Sequence, residues 1–385
     1  MGIRLVAGLL VLTASFFGSI GGFFGLGNHD DDRDKKSFWE RTFHRTIPLP
    51  DDVVLFGEDD LHINNESNIL GGNAATNDRA NLGRDVFIEG SLLADKVTLS
   101  EGVMIAGTLE ASKISGKDYT LSGETIKPRK TKDYAMPDIQ RPNPGRENIR
   151  IKKKEATTIN PGRYDKITID REAVVTVEPG TYEAERLTVD RDVTLIFIGP
   201  TEFRIGNHLS IGSDVMMDLR NDLETSAIKW HYRGDSSLMI GGDVFGAGEV
   251  IASRANIHVR DDTTWRGRLI GEEVKLGKGV VVSAGGAFAS PPKKEDIVED
   301  PDGGVYPINI VLVLMEEDTT DGDAMVVAEE IGGRITGVAP MAKLYQMEVT
   351  TETIEDLEIL LENLRNRTDL GVEGVFRNVL FPEDI

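Results

Sequence analysis

Two stretches of the chain are copies of one another. Residues 86–97 read VFIEGSLLADKV, and residues 103–114 read VMIAGTLEASKI, a spacing of 17. Val86 maps onto Val103, Ile88 onto Ile105, Gly90 onto Gly107, Leu92 onto Leu109, Ala94 onto Ala111 and Val97 onto Ile114. Apolar or small residues alternate with others, which is the pattern of a strand with one face inward. A period near 20 makes such strands stack as coils of a solenoid. One coil alone has nothing against which to bury its apolar side.

The period returns further along. ITID (167–170) recurs as LTVD (187–190), and VVTV (174–177) recurs as TLIF (194–197). Pro161-Gly162-Arg163-Tyr164 recurs as Pro179-Gly180-Thr181-Tyr182. LMI (238–240), NIHV (256–259) and VKL (274–276) follow at 17 to 19, and Val250 and Leu269 lie 19 apart. Gly, Asp and Asn fill the intervening corners, as tight turns require. A β-sandwich would also need many short strands, but gives no reason for copied strand pairs. The expected fold is therefore mainly β, a right-handed parallel β-helix solenoid. Its coils occupy 51–126 and 155–290, in chain order. Residues 127–154, rich in Pro and charge, are expected to be an irregular loop.

The ends are organised differently. Residues 5–27 are uncharged and mostly apolar, with Arg4 before them and HDDDRD after. Residues 1–27 therefore suit a cleaved signal peptide or a retained membrane anchor, and the remainder would be exported. Residues 28–50 and 291–306 have linker composition. Beyond them the period changes to strand 308–315, helix 321–332, strands 333–339 and 343–349, helix 353–367 and strand 371–381. In the second helix Ile354, Leu357, Leu360, Leu361 and Leu364 make one apolar face. Thr351, with Ile354 to Asp356, suits a capped start. This βαββαβ order is that of a small α+β, ferredoxin-like domain spanning 307–385.

Composition limits function. The net charge of −22 disfavours nucleic acid and anionic membrane surfaces, leaving a membrane role only to the N-terminal segment. The chain has no cysteine, so disulfides, thiolate catalysis and Cys-ligated metals are excluded.

Three resemblances follow from the wording. Residues 86–126 resemble bactofilins, the polymer-forming β-helical proteins, through IEGSLLADKVTLSEG and IAGTLEASKISGK. Residues 155–290 resemble β-helical modules of exported bacterial envelope proteins, through PGRYDKITID and PGTYEAERLTVD. Residues 307–381 resemble the propeptide of subtilisin-type serine proteases, through GGRITGVAPMAKLYQMEV, IEDLEILLENLRN and VEGVFRN. The last resemblance implies a domain that chaperones and inhibits a protease, in cis or in trans. It implies that Phe381, Pro382, Glu383, Asp384 and Ile385 enter the protease cleft as an extended tail. The sheet face opposite the helices would then meet the protease. The first resemblance implies self-association through solenoid ends, whose strands are unpaired.

Catalytic signals are sparse. No HGTH, Gly-Thr-Ser or HExxH motif occurs, and the six histidines are scattered. His258 alternates with Ile257 and Val259 and is expected to face outward. Asp170 and Asp190 occupy equivalent positions one coil apart, about 5 Å if stacked. Such a pair is able to bind calcium or to act in acid–base chemistry on a polysaccharide. As strand-end aspartates beside Arg171 and Arg191 they read instead as neutralised turn residues. Trp230, His231 and Tyr232 interrupt the pattern, either as a sugar-stacking patch or as a core aromatic cluster. No cofactor or metal is expected. The expected function is that of an exported, non-enzymatic surface or scaffold protein.

Overall fold

A computed structural model describes residues 46–220, 223–284, 297–299, 305–339 and 343–378, all within the compact unit Arg45–Ile385. The candidate signal segment and the tail Phe381–Ile385 lie outside the described residues.

The copied strands lie side by side. Leu92 pairs with Leu109, Ala94 with Ala111 and Val97 with Ile114, all in parallel. Val86 and Val103 are both fully buried, and Met104 N–H donates to the Val86 carbonyl at 2.8 Å. Ile167 pairs with Leu187, Val174 with Thr194 and Val250 with Leu269. The Pro-Gly-x-Tyr repeat is displaced by two places: Tyr182 pairs with Gly162, because its strand runs Gly180–Val189 against Gly162–Ile169. Each tyrosine still closes its own corner. Tyr164 donates to the Asn160 carbonyl and Tyr182 to the Glu178 carbonyl, at 2.7 and 2.8 Å.

Two long parallel sheets form the walls, one eleven strands wide and one whose main path has twelve. One corner repeats coil after coil with a single residue in left-handed backbone. Glu172, Asp192, Asp214, Asp243 and Asp262 have φ between 55° and 61°, and Gly102 and Gly279 take the same corner at 74° and 66°. Asp and Gly tolerate this region, and their short side chains leave the backbone free to stack. The amide of Asp192 donates to Ser213, that of Asp214 to Gly242 and that of Asp243 to Asp261, each on the next coil. At another corner Gly107 approaches its neighbour so closely that a Cβ would lie 2.6 Å from the Gly90 carbonyl. Gly107→Ala is expected to cost roughly 1–3 kcal/mol through this overlap, read as a lower denaturant midpoint.

The coils do not stack in chain order. Strands β1 (Val53–Ile63) and β2 (Asn68–Leu70) open the chain's first block. Strands β3 (Glu147–Ile151) and β4 (Ala156–Ile159) open the second, and β5 (Leu269–Leu276) and β6 (Val281–Ser283) close it. β1 pairs with β5 and β2 with β6. The first block therefore sits on the end of the second. Strands Thr125–Ile126 and β3 stand at opposite ends of the rod.

The segment expected to be an irregular loop must join those ends. Twelve strands place them about 53 Å apart, and twenty extended residues reach about 66 Å. Residues 127–146 accordingly form a strap along the outside of the wall. The Glu110 carboxylate accepts from the amides of Lys130 and Thr131. Arg129 donates to the Thr76 and Asn77 carbonyls. Tyr134 sits edge-on to Phe56 at 6.1 Å. Arg233 then reaches the Ile139 carbonyl and Arg163 the Asn143 carbonyl. Under the strap the outward column turns apolar, with Ile251, Ile270, Phe56 and Ala75 in register. These residues form their own buried cluster with Tyr134 and Ile139. Glu147–Ile151, also placed in the loop by sequence, is a strand of the solenoid. Glu110→Ala is expected to loosen the strap and to speed tryptic cleavage between Lys127 and Lys132 about 10-fold, while the solenoid's circular dichroism stays unchanged.

After the solenoid, β7 (Ile310–Met315), α1 (Asp321–Glu330), β8 (Arg334–Ala339), β9 (Leu344–Glu348), α2 (Ile354–Arg365) and β10 (Val372–Arg377) follow in turn. Their antiparallel sheet has the order β8-β9-β7-β10. Leu357, Leu361 and Leu364 of α2 pack with Val311, Val313 and Val375, as the helical spacing predicts. The cap of α2 differs from expectation. Thr353 accepts from the Asp356 amide at 3.1 Å, while Thr351 bonds the Ile308 carbonyl. Thr353 stands three residues before that amide, the reach of a capping side chain.

Candidate functional site

The eleven-stranded sheet presents an outward column with no charged residue. It starts with Ala156, Val174, Thr194 and Met216, in register from strand to strand. It continues through Phe245, Thr264 and Val281. It ends with Asn68, Phe87, Met104 and Thr120. The second sheet behaves differently. Arg163, Glu183 and Arg204 are successive neighbours there, and Arg204 bonds Glu202 at 2.8 and 2.7 Å. A wall facing only water in a chain this charged has no physical reason to lose its charges.

The neighbouring column holds three charges: Glu89, whose carboxylate accepts from the Gly71 amide at 2.6 Å, and Asp218 and Arg266, which lie where the C-terminal domain docks. Arg266 is buried. Its guanidinium donates to Asp321 of α1 at 2.6 Å and to the Met217 carbonyl at 3.2 Å, and lies 4.3 Å from the centre of the Phe245 ring. The Tyr345 hydroxyl donates to the other Asp321 oxygen at 2.8 Å. Asp218, 1% exposed, pairs with Arg220 at 2.6 Å. Burial raises its pKa, Asp321 and Asp323 add to the rise, and Arg220 opposes it. Burial likewise pushes the Tyr345 hydroxyl well above the usual range. The Thr264 hydroxyl donates to the Ile335 carbonyl at 3.0 Å, and Arg334 donates to the Gly279 carbonyl at 3.1 Å. Of the solenoid's side chains, Phe245 alone joins the buried apolar cluster of the domain. The contact is thus polar, with one aromatic anchor.

Beside it opens a cleft of about 250 Å³, with Asp214, Asp243 and Asp262 on one wall and Met325, Glu329 and Arg334 on the other. Desolvation, Asp214 and Asp262 raise the pKa of Asp243. Its charge therefore opposes the folded arrangement above that raised pKa and ceases to do so when the group is protonated. Asp243→Asn keeps the left-handed corner and is expected to stabilise the protein at pH 7 by less than about 1 kcal/mol, because the corner is exposed. Below about pH 3 the gain should vanish. Paired thermal melts read both.

The residues singled out by sequence are dispersed. Asp170 and Asp190 do occupy adjacent coils, since the Asp190 amide donates to the Ile169 carbonyl at 2.9 Å. Asp170 pairs with Arg150 at 3.0 Å, and Asp190 accepts from the Arg191 amide at 2.8 Å. The Arg171 and Arg191 side chains lean instead on Glu172 and Asp192, at 3.8 and 3.6 Å. Trp230 and Tyr232 are fully buried. Tyr182, Phe203 and Trp230 form an interior ladder with ring centres 4.9 and 4.5 Å apart, so a sugar-stacking patch is ruled out for Trp230 and Tyr232. His231 lies outward, with Nδ1 2.9 Å from Glu202, and burial lowers its pKa against the pull of that carboxylate. His258 also points outward, half-buried between Met239 and Lys275. Among the described residues no cluster of three metal-ligating side chains occurs, and no helix is long and apolar enough to cross a membrane. The buried latch escaped the sequence reading. Its only signal was Arg266 standing at a position that is uncharged on the flanking strands.

These features define a parallel β-solenoid protein of about twelve turns. No protein-family model and no curated protein matches the chain. Two solved structures are similar to it. One is an ice-binding protein from the Antarctic ascomycete Antarctomyces psychrotrophicus, at 12% identity and a TM-score of 0.29, covering 63% of this chain and 100% of that one. The other is an ice-binding protein from an Antarctic Flavobacteriaceae bacterium, at 12% identity and a TM-score of 0.23, covering 63% and 82%. The solenoid assignment stands on the strand pairing.

Proposed function

We propose that the protein is an exported, non-enzymatic surface module, a stiff rod whose walls serve as binding platforms. The observation that carries this reading is the filled interior. From Ile151 to Leu109 most inward positions are apolar and buried, and the buried hydroxyls among them, Ser67, Thr76 and Thr263, are tied to backbone carbonyls, so the coils form a continuous support for their outer faces. The charged residues with altered pKa values stand in structural pairs or at the domain junction. Surface biotinylation of intact cells tests this reading. Labelling of the protein before lysis is expected. Labelling only after lysis would contradict it.

A second reading is favoured by the C-terminal domain. Its sheet has the order β8-β9-β7-β10, the order a ferredoxin-like domain would have, and Phe376 is half exposed on the sheet face turned from the helices. With the resemblance to subtilisin propeptides, this supports binding of a subtilisin-type protease in cis or trans. The full chain should then slow subtilisin, and undiminished proteolysis by an excess of folded protein would remove the idea.

A further inference from the structure

We propose that the sheet carrying this charge-free column is a single interaction face for an uncharged, hydroxyl-rich polymer, and that the C-terminal domain is a displaceable cover over its middle. The inference rests on the surface-module reading. In that column charge is missing not only beneath the domain but on both sides of it, and Glu89, the one charge of the neighbouring column outside the domain, accepts from the Gly71 amide at 2.6 Å. On one flank Ala156, Thr158 and Val174 are exposed. On the other Met104, Ala106 and Thr120 are exposed. A column that merely seated the domain would lose its charges only under it.

The cover is held by chemistry suited to release. One aromatic ring joins its core, the Met216 side chain lies against Gly322, the contacts around them are hydrogen bonds and an ion pair, and an open cleft with an acidic wall remains beside them. Contacts within a chain that are this polar behave as transient interfaces.

The partner's class follows from charge and extent. A polyanion is repelled by a chain of net charge −22, and a polycation finds no carboxylate in the column. Each exposed flank spans only about 10–15 Å along the rod, too short to supply the roughly 800 Å² per partner of a stable protein complex. Freed of its cover, the face is about 48 Å long and offers rows of hydroxyl and methyl groups. Those match the OH edges and CH faces of a neutral polysaccharide.

The absence of native cysteine makes the test direct. Thr264→Cys places one thiol under the cover, and Val175→Cys places one in the interior. The first is expected to react with a thiol reagent at least about 100-fold faster than the second, and about 10-fold faster again when combined with Arg266→Ala. Should Arg266→Ala fail to fold, Asp321→Asn replaces it. Retention on insoluble chitin, cellulose or a neutral β-glucan should rise with the latch variant. It should be lost on Thr194→Glu, with thiol reactivity unchanged. Equal reactivity of the two thiols would overturn the cover. Fast thiol reaction without retention on any of the three polymers would overturn the partner. Neither arm depends on where the cell places the protein, so failure here is distinct from failure of the surface reading.

Discussion

Arg266→Ala is expected to split thermal unfolding into two transitions, with the C-terminal domain melting ahead of the solenoid. The guanidinium is 3% exposed and the Asp321 carboxylate 12%. Removing one partner of a buried pair leaves the other charge desolvated, which costs about 3–5 kcal/mol. Here the loss extends further, because Tyr345 holds the same carboxylate and the ring of Phe245 loses its cation. The Arg266→Ala/Asp321→Ala double variant should recover part of the loss, since no orphaned charge remains. Calorimetry of the four proteins in the cycle measures the coupling. A single unchanged transition in Arg266→Ala would show that the ion pair does not hold the domain.

Trp230→Ala is expected to be comparably severe but to strike the rod itself. Trp230 stacks on Phe203 at 4.5 Å with planes 9° apart, and meets Phe197 edge-on at 6.0 Å. Its indole N–H donates to the Ala247 carbonyl at 3.0 Å on the next coil. Truncation loses the buried area and leaves a cavity spanning neighbouring coils, for about 3–5 kcal/mol. It also orphans a buried carbonyl. Because coils support one another only through neighbours, the damage should localise. Hydrogen exchange should rise most in strands 201–211 and 249–252 and least at the distant end near 109–116. Uniform protection along the rod would contradict this.

Much of the wall was legible because stacking copies a coil's inward pattern onto the next. Leu92 over Leu109 and Leu238 over Ile257 over Val274 follow from spacing alone. The C-terminal elements were legible for a similar reason, since an apolar stripe at helical spacing has one way to face a sheet. The order of the blocks was not. Nothing local in VVLFGEDDLHI tells β1 that its partner is LIGEEVKL, more than two hundred residues away. The strap left a trace that was read differently. Tyr134, Met136 and Ile139 sit in a Pro-rich, charged segment and suggest a loop, yet Phe56, Ile251 and Ile270 were outward apolar residues without a cover. The latch was hidden because an ion pair between residues 266 and 321 has no periodicity to betray it.

The architecture of the rod turns on which end of the second block receives the first. Introducing cysteines at His62 and Lys275, which are registered neighbours across β1 and β5, decides it in a protein with no other thiol. Mild oxidation should close a disulfide within one chain, whereas cysteines at Ser115 and Arg150, at opposite ends of the rod, should stay reduced. A bridge between 115 and 150, with 62 and 275 left free, would mean that the coils stack in chain order and that the strap does not exist.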